Sequence, residues 1–277
     1  REYNIPRNWG VPVRFHDYMF FLKNSNAKFL EFHLSYNDLS CSIEKTFADN
    51  IYDVDFVVHS PDIFEGDHLL DISLENEKHR MESIANLRRV VDITKSMRPY
   101  FNTRGKTTIV ASVGGSTRNT PMDNEMKPEA YERVAMSLNE LDSEDTEIII
   151  QTLPPFPWYF GGQLFLNLFV NAKETLEFCQ KHNRRICLDT SHSQLACNRD
   201  KTEFIESVSL LKPYIKHIHV ADAHGIDQEG VQLGYGDVDF EKLFKVINID
   251  TTFIPEIWQG HRNFGEECWK ALDSIEK

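Results

Sequence analysis

Arg185-Ile-Cys-Leu-Asp-Thr-Ser-His192 is followed by Lys201–Leu211 and then by Ile215-Lys-His-Ile-His-Val-Ala-Asp222. The outer two stretches contain short β-rich runs (Arg185–Asp189 and Ile215–Val220), and the middle one carries helical patterning. A strand, a helix and a second strand make a parallel pair joined by a right-handed crossover. The same alternation extends in both directions. Further strands are expected at Val11–Phe15, Phe29–Leu34, Asp55–His59, Thr107–Val113, Glu147–Thr152 and Thr252–Glu256. Helices are expected at Glu77–Met97, where Ile84, Leu87, Val90, Val91 and Ile93 recur at three- and four-residue intervals, and at Pro128–Leu141, which opens on a proline suited to a first turn. Asn167–His182, Phe240–Val246 and Glu266–Ile275 follow, and Ser42–Asn50 has the faintest pattern.

Eight such units favour a closed α/β barrel, (β/α)8, over an open sheet, because closure leaves no edge strand. No GxGxxG follows the first strand, which removes the main argument for a nucleotide-binding open sheet. The 277 residues match the roughly 250 of one such barrel, so residues 1–277 are expected to form a single domain. The chain starts at Arg1, as expected if a leader or tag has been removed or the domain cut from a longer polypeptide.

Composition narrows the partners. With 41% hydrophobic residues the chain can build a large core. Its 43 acidic residues against 30 basic give a formal charge of −13, which repels phosphate backbones and anionic membranes. Neither nucleic acid nor a membrane is therefore expected as a partner. Five cysteines without a CxxC fit reduced thiols and a cytoplasmic location.

Chemistry-bearing side chains gather at the strand ends. Strand two ends Glu31-Phe-His33, strand three reaches His59, strand five Gln151 and strand six Asp189-Thr-Ser-His192. Strand seven carries His217, His219, Asp222 and His224, and strand eight ends at Glu256. Residues two apart share a strand face, so Glu31 with His33 and His217 with His219 can all point at the barrel axis. Each has an ordinary reading: Asp189 suits a helix cap, and Glu256 a lysine partner. Their coincidence on one rim, where barrel active sites are built, points instead to a polar site that needs a cation or protons to tolerate its acids. Trp158, with Phe156, Tyr159 and Phe160, offers rings for stacking on a sugar or merely a packed loop.

The motifs Ile186–His192, His217–Asp222, Gly234-Tyr-Gly-Asp-Val-Asp-Phe240 and Glu256 resemble those of the xylose isomerase-like barrels, which include sugar isomerases and epimerases and endonuclease IV. That resemblance implies a divalent cation (Mn2+, Zn2+, Mg2+ or Co2+) held by Gln151, Asp189, His219 and Glu256. Gln151 departs from the glutamate expected at its position. The resemblance further implies a carbohydrate substrate contacted by His192, with Glu31, His33, His59, His217, Asp222, His224 and Trp158 as pocket candidates. Glu256 would be the base that removes a proton α to a carbonyl, with His192 and Glu31 as further catalytic candidates; since Gln151 cannot accept a proton, a second base would have to be Glu31 or a histidine. Residues 4–17 and 31–39 also resemble the C-terminal barrel of some sialic acid synthase-family proteins. This second likeness implies a nine-carbon acidic sugar pathway and a fused synthase domain, with Arg14 and His16 as further pocket candidates. Homo-oligomerisation is a further expectation. The competing functions are a non-catalytic carbohydrate-binding barrel and, third, an endonuclease IV-like zinc phosphodiesterase. Against the last stand the charge and the lack of a histidine in Ala111-Ser-Val-Gly-Gly115.

Overall fold

Eight strands pair in parallel and in chain order: β1 (Gly10–Val13), β2 (Phe29–His33), β3 (Asp55–His59), β4 (Thr107–Ala111), β5 (Thr146–Gln151), β6 (Ile186–Asp189), β7 (Ile215–Val220) and β8 (Thr252–Pro255). They are seen in a computed structural model that describes residues 1–48 and 50–277. Nine helices follow among the described residues: α1 (Tyr18–Asn24), α2 (Ile43–Phe47), α3 (Glu77–Met97), α4 (Lys127–Asn139), α5 (Ala172–His182), α6 (Thr190–Asp200), α7 (Phe204–Leu211), α8 (Phe240–Val246) and α9 (Arg262–Glu276). The result is the expected (β/α)8 barrel. Its ladder is uneven. β4 and β5 align over five residue pairs, β5 and β6 over two, and β8 meets β1 through the single bridge between Trp9 and Phe253. There the Phe253 N–H donates to Asn8 O at 3.1 Å.

The core has two compartments, which follow from the strand alternation. Outward-facing Leu30, Phe32, Val58, Ile109, Ile150, Leu188 and Ile218 pack under the helices. Inward-facing Phe29, Val57, Val110, Ile149, Cys187 and Ile254 fill the base of the barrel as one apolar layer. Two residues further along each strand the inward positions turn polar: Glu31, His59, Gln151, Asp189, His219 and Glu256. A plug of hydrocarbon below and a ring of polar groups above is the arrangement the fold uses to carry a site.

Local chemistry places the connections. β1 stops at Val13 rather than at Phe15, because Asp17 Oδ1 takes the Arg14 N–H at 2.6 Å and turns the chain into α1. α2 has only five residues and survives on Phe47, fully buried against Phe15, Tyr18, Phe32 and Phe101 with ring centroids 5.1–5.9 Å away. The expected Ser42–Asn50 helix extends past this segment to Asp49, which lies outside the described residues. α6 was not expected, since Thr190–Asp200 lacks an apolar stripe. Its buried polar residues are instead hydrogen-bonded: Thr190 Oγ1 donates to Ala221 O at 2.6 Å, and Ser193 pairs with Thr152 at 2.9 Å. The regular part of α9 begins after Asn263, Phe264 and Gly265, which adopt left-handed φ. Gly265 is required there, because a Cβ would lie 2.6 Å from the Phe21 ring at φ +79°.

Candidate active site at the C-terminal rim

A cavity of about 560 Å³ opens at the C-terminal ends of the strands. His33, His59, Gln151, Asp189, His192, Glu256 and Trp158 line it, as the strand-end pattern led us to expect. Glu31, His217 and His219 are not on its lining. They form the layer beneath the floor, each at most 1% exposed.

This lower layer is a chain of contacts between one carboxylate and three imidazoles. Glu31 Oε2 accepts from His217 Nε2 at 2.7 Å, and Glu31 Oε1 lies 2.8 Å from His219 Nε2 and 3.0 Å from His33 Nε2. His217 Nδ1 is tied to Thr252 Oγ1 at 2.7 Å, which leaves that ring no path to a ligand in the cavity. Burial pushes the Glu31 carboxyl up, but the charges of His219 and His217 outweigh it and hold the pKa well below the usual range. Burial likewise opposes charge on His219, yet Cys187, Glu256 and Glu31 hold its pKa well above 6.5. The imidazole lies between two carboxylates, Glu31 on Nε2 and Glu256 on Nδ1.

One layer up, His219 Nδ1 is 2.6 Å from Glu256 Oε2 and 4.0 Å from Asp189 Oδ2. Gln151 Nε2 donates to Asp189 Oδ2 at 2.8 Å and lies 3.2 Å from His219 Nδ1. The amide oxygen accepts from His59 Nε2 at 3.1 Å and from Ser112 Oγ at 3.2 Å. Burial raises Glu256, but His219, through charge and hydrogen bond, then His33 and His59, pull it below the usual carboxylate range. Asp189 moves the other way: burial raises it, and the neighbouring Glu256 adds to that.

Asp189 has a double duty. Its Oδ1 caps α6 by accepting from the His192 N–H at 2.8 Å, and its Oδ2 faces Gln151. The cap fixes His192 over the cavity. There Nδ1 donates to Thr152 O at 2.9 Å, and Nε2 meets Glu229 Oε2 at 3.1 Å. Burial disfavours charge on this ring, but Asp189 and Glu229 raise its pKa to about 10.

Besides Glu31 and His217, which were expected to act on the substrate but lie beneath the cavity floor, two further expected contacts are corrected. Asp222 is fully buried, and its carboxylate is consumed by the N–H groups of Ala223, Gly234, Gly236 and Val238 at 2.9–3.0 Å. It anchors the loop that follows β7. Gly236 is needed for this approach, since a Cβ would collide with Ala223 O and Asp222 Oδ1. His224 is the exposed end of a hairpin strand (Asp222–His224 with Gln228–Val231), facing Asp237 at 3.5 Å and away from the cavity.

The structure adds Asp62, Glu229, His261 and Arg262 to the lining. Asp62 is reached by Tyr159 from the Trp158–Tyr159/Gly162–Gln163 hairpin, whose hydroxyl donates to Oδ2 at 3.1 Å, while Oδ1 has no partner. Burial raises the Asp62 carboxyl. Glu229 lies on the second strand of the hairpin after β7, where only the neighbouring Gly230 marked a turn in sequence.

The donor set fits a divalent cation of mixed nitrogen and oxygen preference. His59, His219 and Glu256 bring donor atoms within 4.8 Å of one another, and Asp189 and Gln151 adjoin them. Glu31 on the far nitrogen of His219 is the outer carboxylate that orients a ligating histidine. Gln151 joins the set only through its carbonyl oxygen. Turning the amide over would place that oxygen beside Asp189 Oδ2 and leave the NH2 to His59 and Ser112, an arrangement of adjacent oxygens that itself calls for a cation. Cys187, His217 and His219 form a second close group deeper in the barrel.

The model of the xylose isomerase-like TIM barrel family matches residues 19–272. Solved structures of similar fold include a D-tagatose 3-epimerase-like protein (19% identity, 97% of this chain and 98% of the other, TM-score 0.63). A 3-keto-D-glucoside 4-epimerase from E. coli aligns at 13% identity over 98% of both chains, with a TM-score of 0.65. Endonuclease IV from Thermus thermophilus aligns at 15% over 97% of this chain and 98% of its own, with a TM-score of 0.61. No curated protein sequence matches the chain.

Proposed function

The chain belongs to the xylose isomerase-like TIM barrel family, and within it we propose an isomerase or epimerase acting on a sugar or sugar phosphate by proton abstraction α to a carbonyl. The observation that carries this reading is the convergence of an ionised Glu256 and a cationic His192 on one cavity, from positions 64 residues apart in the chain. Glu256 is the base. His219 holds it unprotonated, and its side chain is 29% exposed toward the cavity. His192 polarises the substrate oxygen through the Nε2 side that Glu229 now occupies, with the substrate displacing Glu229 while Nδ1 stays on Thr152 O. A divalent cation held by Asp189, His219, Glu256 and the Gln151 carbonyl would supply Lewis-acid stabilisation of the enediolate.

Gln151 decides between forms of the reaction. It cannot take a proton, so a two-base inversion lacks its second carboxylate at this position. Isomerisation, in which Glu256 carries a proton between adjacent carbons, needs only one base. Epimerisation would draw on the His192–Glu229 pair. The fold likeness extends equally to endonuclease IV, but the charge of −13 and the Gly114-Gly115 loop after β4 disfavour that chemistry. The link to a nine-carbon acidic sugar pathway rests on the N-terminal resemblance alone.

The test is solvent deuterium incorporation, followed by NMR, at the carbon beside the carbonyl across a panel of ketoses with Mn2+ or Mg2+ present. Glu256→Gln is expected to slow exchange by about 10²–10⁴-fold while ketose still binds. Binding without exchange in the wild-type protein would favour the non-catalytic carbohydrate-binding reading.

A further inference from the structure

The cavity is chemically lopsided. Asp62, Asp189, Glu229 and Glu256 supply carboxylates to it, whereas its only side chains of fixed positive charge are Arg14 and Arg262. Arg14 follows the end of β1, and Arg262 opens α9 just after β8. These strands are neighbours across the barrel seam, so both guanidiniums reach the cavity from one corner, with His261 beside them on the lining. The His261 imidazole is pushed down by burial and then by the charge of Arg14, with Arg262 and His16 adding to this and Asp17 opposing it.

Neither arginine has a carboxylate within 4.0 Å among the described residues. The Arg14 side chain touches only Val13 O, at 3.4 Å. The nearby Asp17 gives one oxygen to the Arg14 backbone N–H, and its other lies 3.8 Å from His16. Elsewhere Arg184, Arg185 and Arg199 each sit on a carboxylate at 2.5–2.7 Å. In a chain with 43 acidic residues against 30 basic, these two arginines face the cavity without a carboxylate partner, Arg14 half-buried and Arg262 exposed.

We infer that this β1/β8 corner is a subsite for an anionic group, a phosphate ester or a carboxylate, at the end of the sugar remote from the carbon that faces Glu256. The inference rests on the carbohydrate reading above and adds the charge class of the substrate. A planar guanidinium presents parallel N–H donors that match either oxyanion, and a ligand bringing its own negative charge completes a corner the protein leaves uncompensated.

Titration calorimetry with D-fructose, D-fructose 6-phosphate and D-fructuronate tests it, because the three differ only in the group at carbon six. One of the two anionic ketoses is expected to bind about tenfold or more tightly than fructose, and which one does so distinguishes phosphate from carboxylate. Arg14→Gln and Arg262→Gln, made separately, should each shrink that preference, and Arg14→Lys should restore part of it. Equal binding of all three ketoses, binding of none, or a preference that survives both glutamine variants overturns the subsite. Glu256→Gln, measured in parallel, should keep the preference. Deuterium exchange with equal binding removes only the subsite, and a clear preference without exchange removes only the catalytic reading.

Discussion

Replacing Gln151 by glutamate would set a second negative charge about where its amide nitrogen now lies, 2.8 Å from Asp189 Oδ2. Burial and Glu256 already raise Asp189, so a further buried carboxylate would have to be met by a proton or a cation. Gln151→Glu is therefore expected to bind Mn2+ about tenfold more tightly than the wild-type protein, as measured by electron paramagnetic resonance of free ion. Unchanged affinity would remove Gln151 from the cation-binding set. The same residue, standing where the resemblance implies a glutamate, cannot accept a proton. Asp222 makes the complementary point. It resembled a pocket acid because it follows His219 by three residues, but four backbone N–H groups claim its oxygens. Asp222→Ala should cost about 3 kcal/mol of stability, seen in urea unfolding, because it strips charged hydrogen bonds from a buried loop.

Among the elements, the short helices depend most on single side chains. Phe47→Ala would empty the aromatic cluster that holds α2 against β2 and should cost about 3–5 kcal/mol in the same unfolding measurement. A loss below about 1 kcal/mol would mean that α2 is held some other way. The strands were legible because barrel strands are buried on both faces and read as dense apolar runs, and all eight appear within two residues of expectation. The long helices were legible through their spacing. α6 and α1 were not. The first buries serines and threonines through hydrogen bonds that only the fold supplies, and the second, Tyr-Met-Phe-Phe-Leu-Lys-Asn, is apolar on every side. Of the site, the residues at strand ends could be found by period and position. Asp62, Glu229, His261 and Arg262 come from loops and hairpins, where no periodicity says which side chain turns inward.

On the scale of the whole barrel, one place where the ladder thins is held by other means. Between β5 and β6, where only two residue pairs align, Glu147 bridges Arg185 at 2.5 Å and Lys216 at 2.6 Å, joining β5 to β7 across the base. Burial raises the Glu147 carboxyl, but Arg185 and Lys216 outweigh it and the net pKa is lowered. A carboxyl whose folded pKa is depressed contributes stability above the ordinary value of 4.5, and that contribution is lost as pH falls through the folded pKa. Glu147→Gln should therefore be less stable than wild type near pH 7, with the gap closing as the pH drops below 4.5. A gap that stays constant over this range would rule out the ion pairs as its source.

The β8–β1 seam has no such clamp. One backbone bridge spans it, and the lip it divides carries Glu256 on one side and Arg14 on the other. Amide hydrogens of residues 10–13 and 253–254 should accordingly exchange with deuterated solvent sooner than those of β4 and β5. The span from Glu256 to Arg14 is then the most yielding dimension of the cavity, so this barrel should admit chains that differ by a carbon more readily than sugars that differ in the hydroxyls facing its rigid walls.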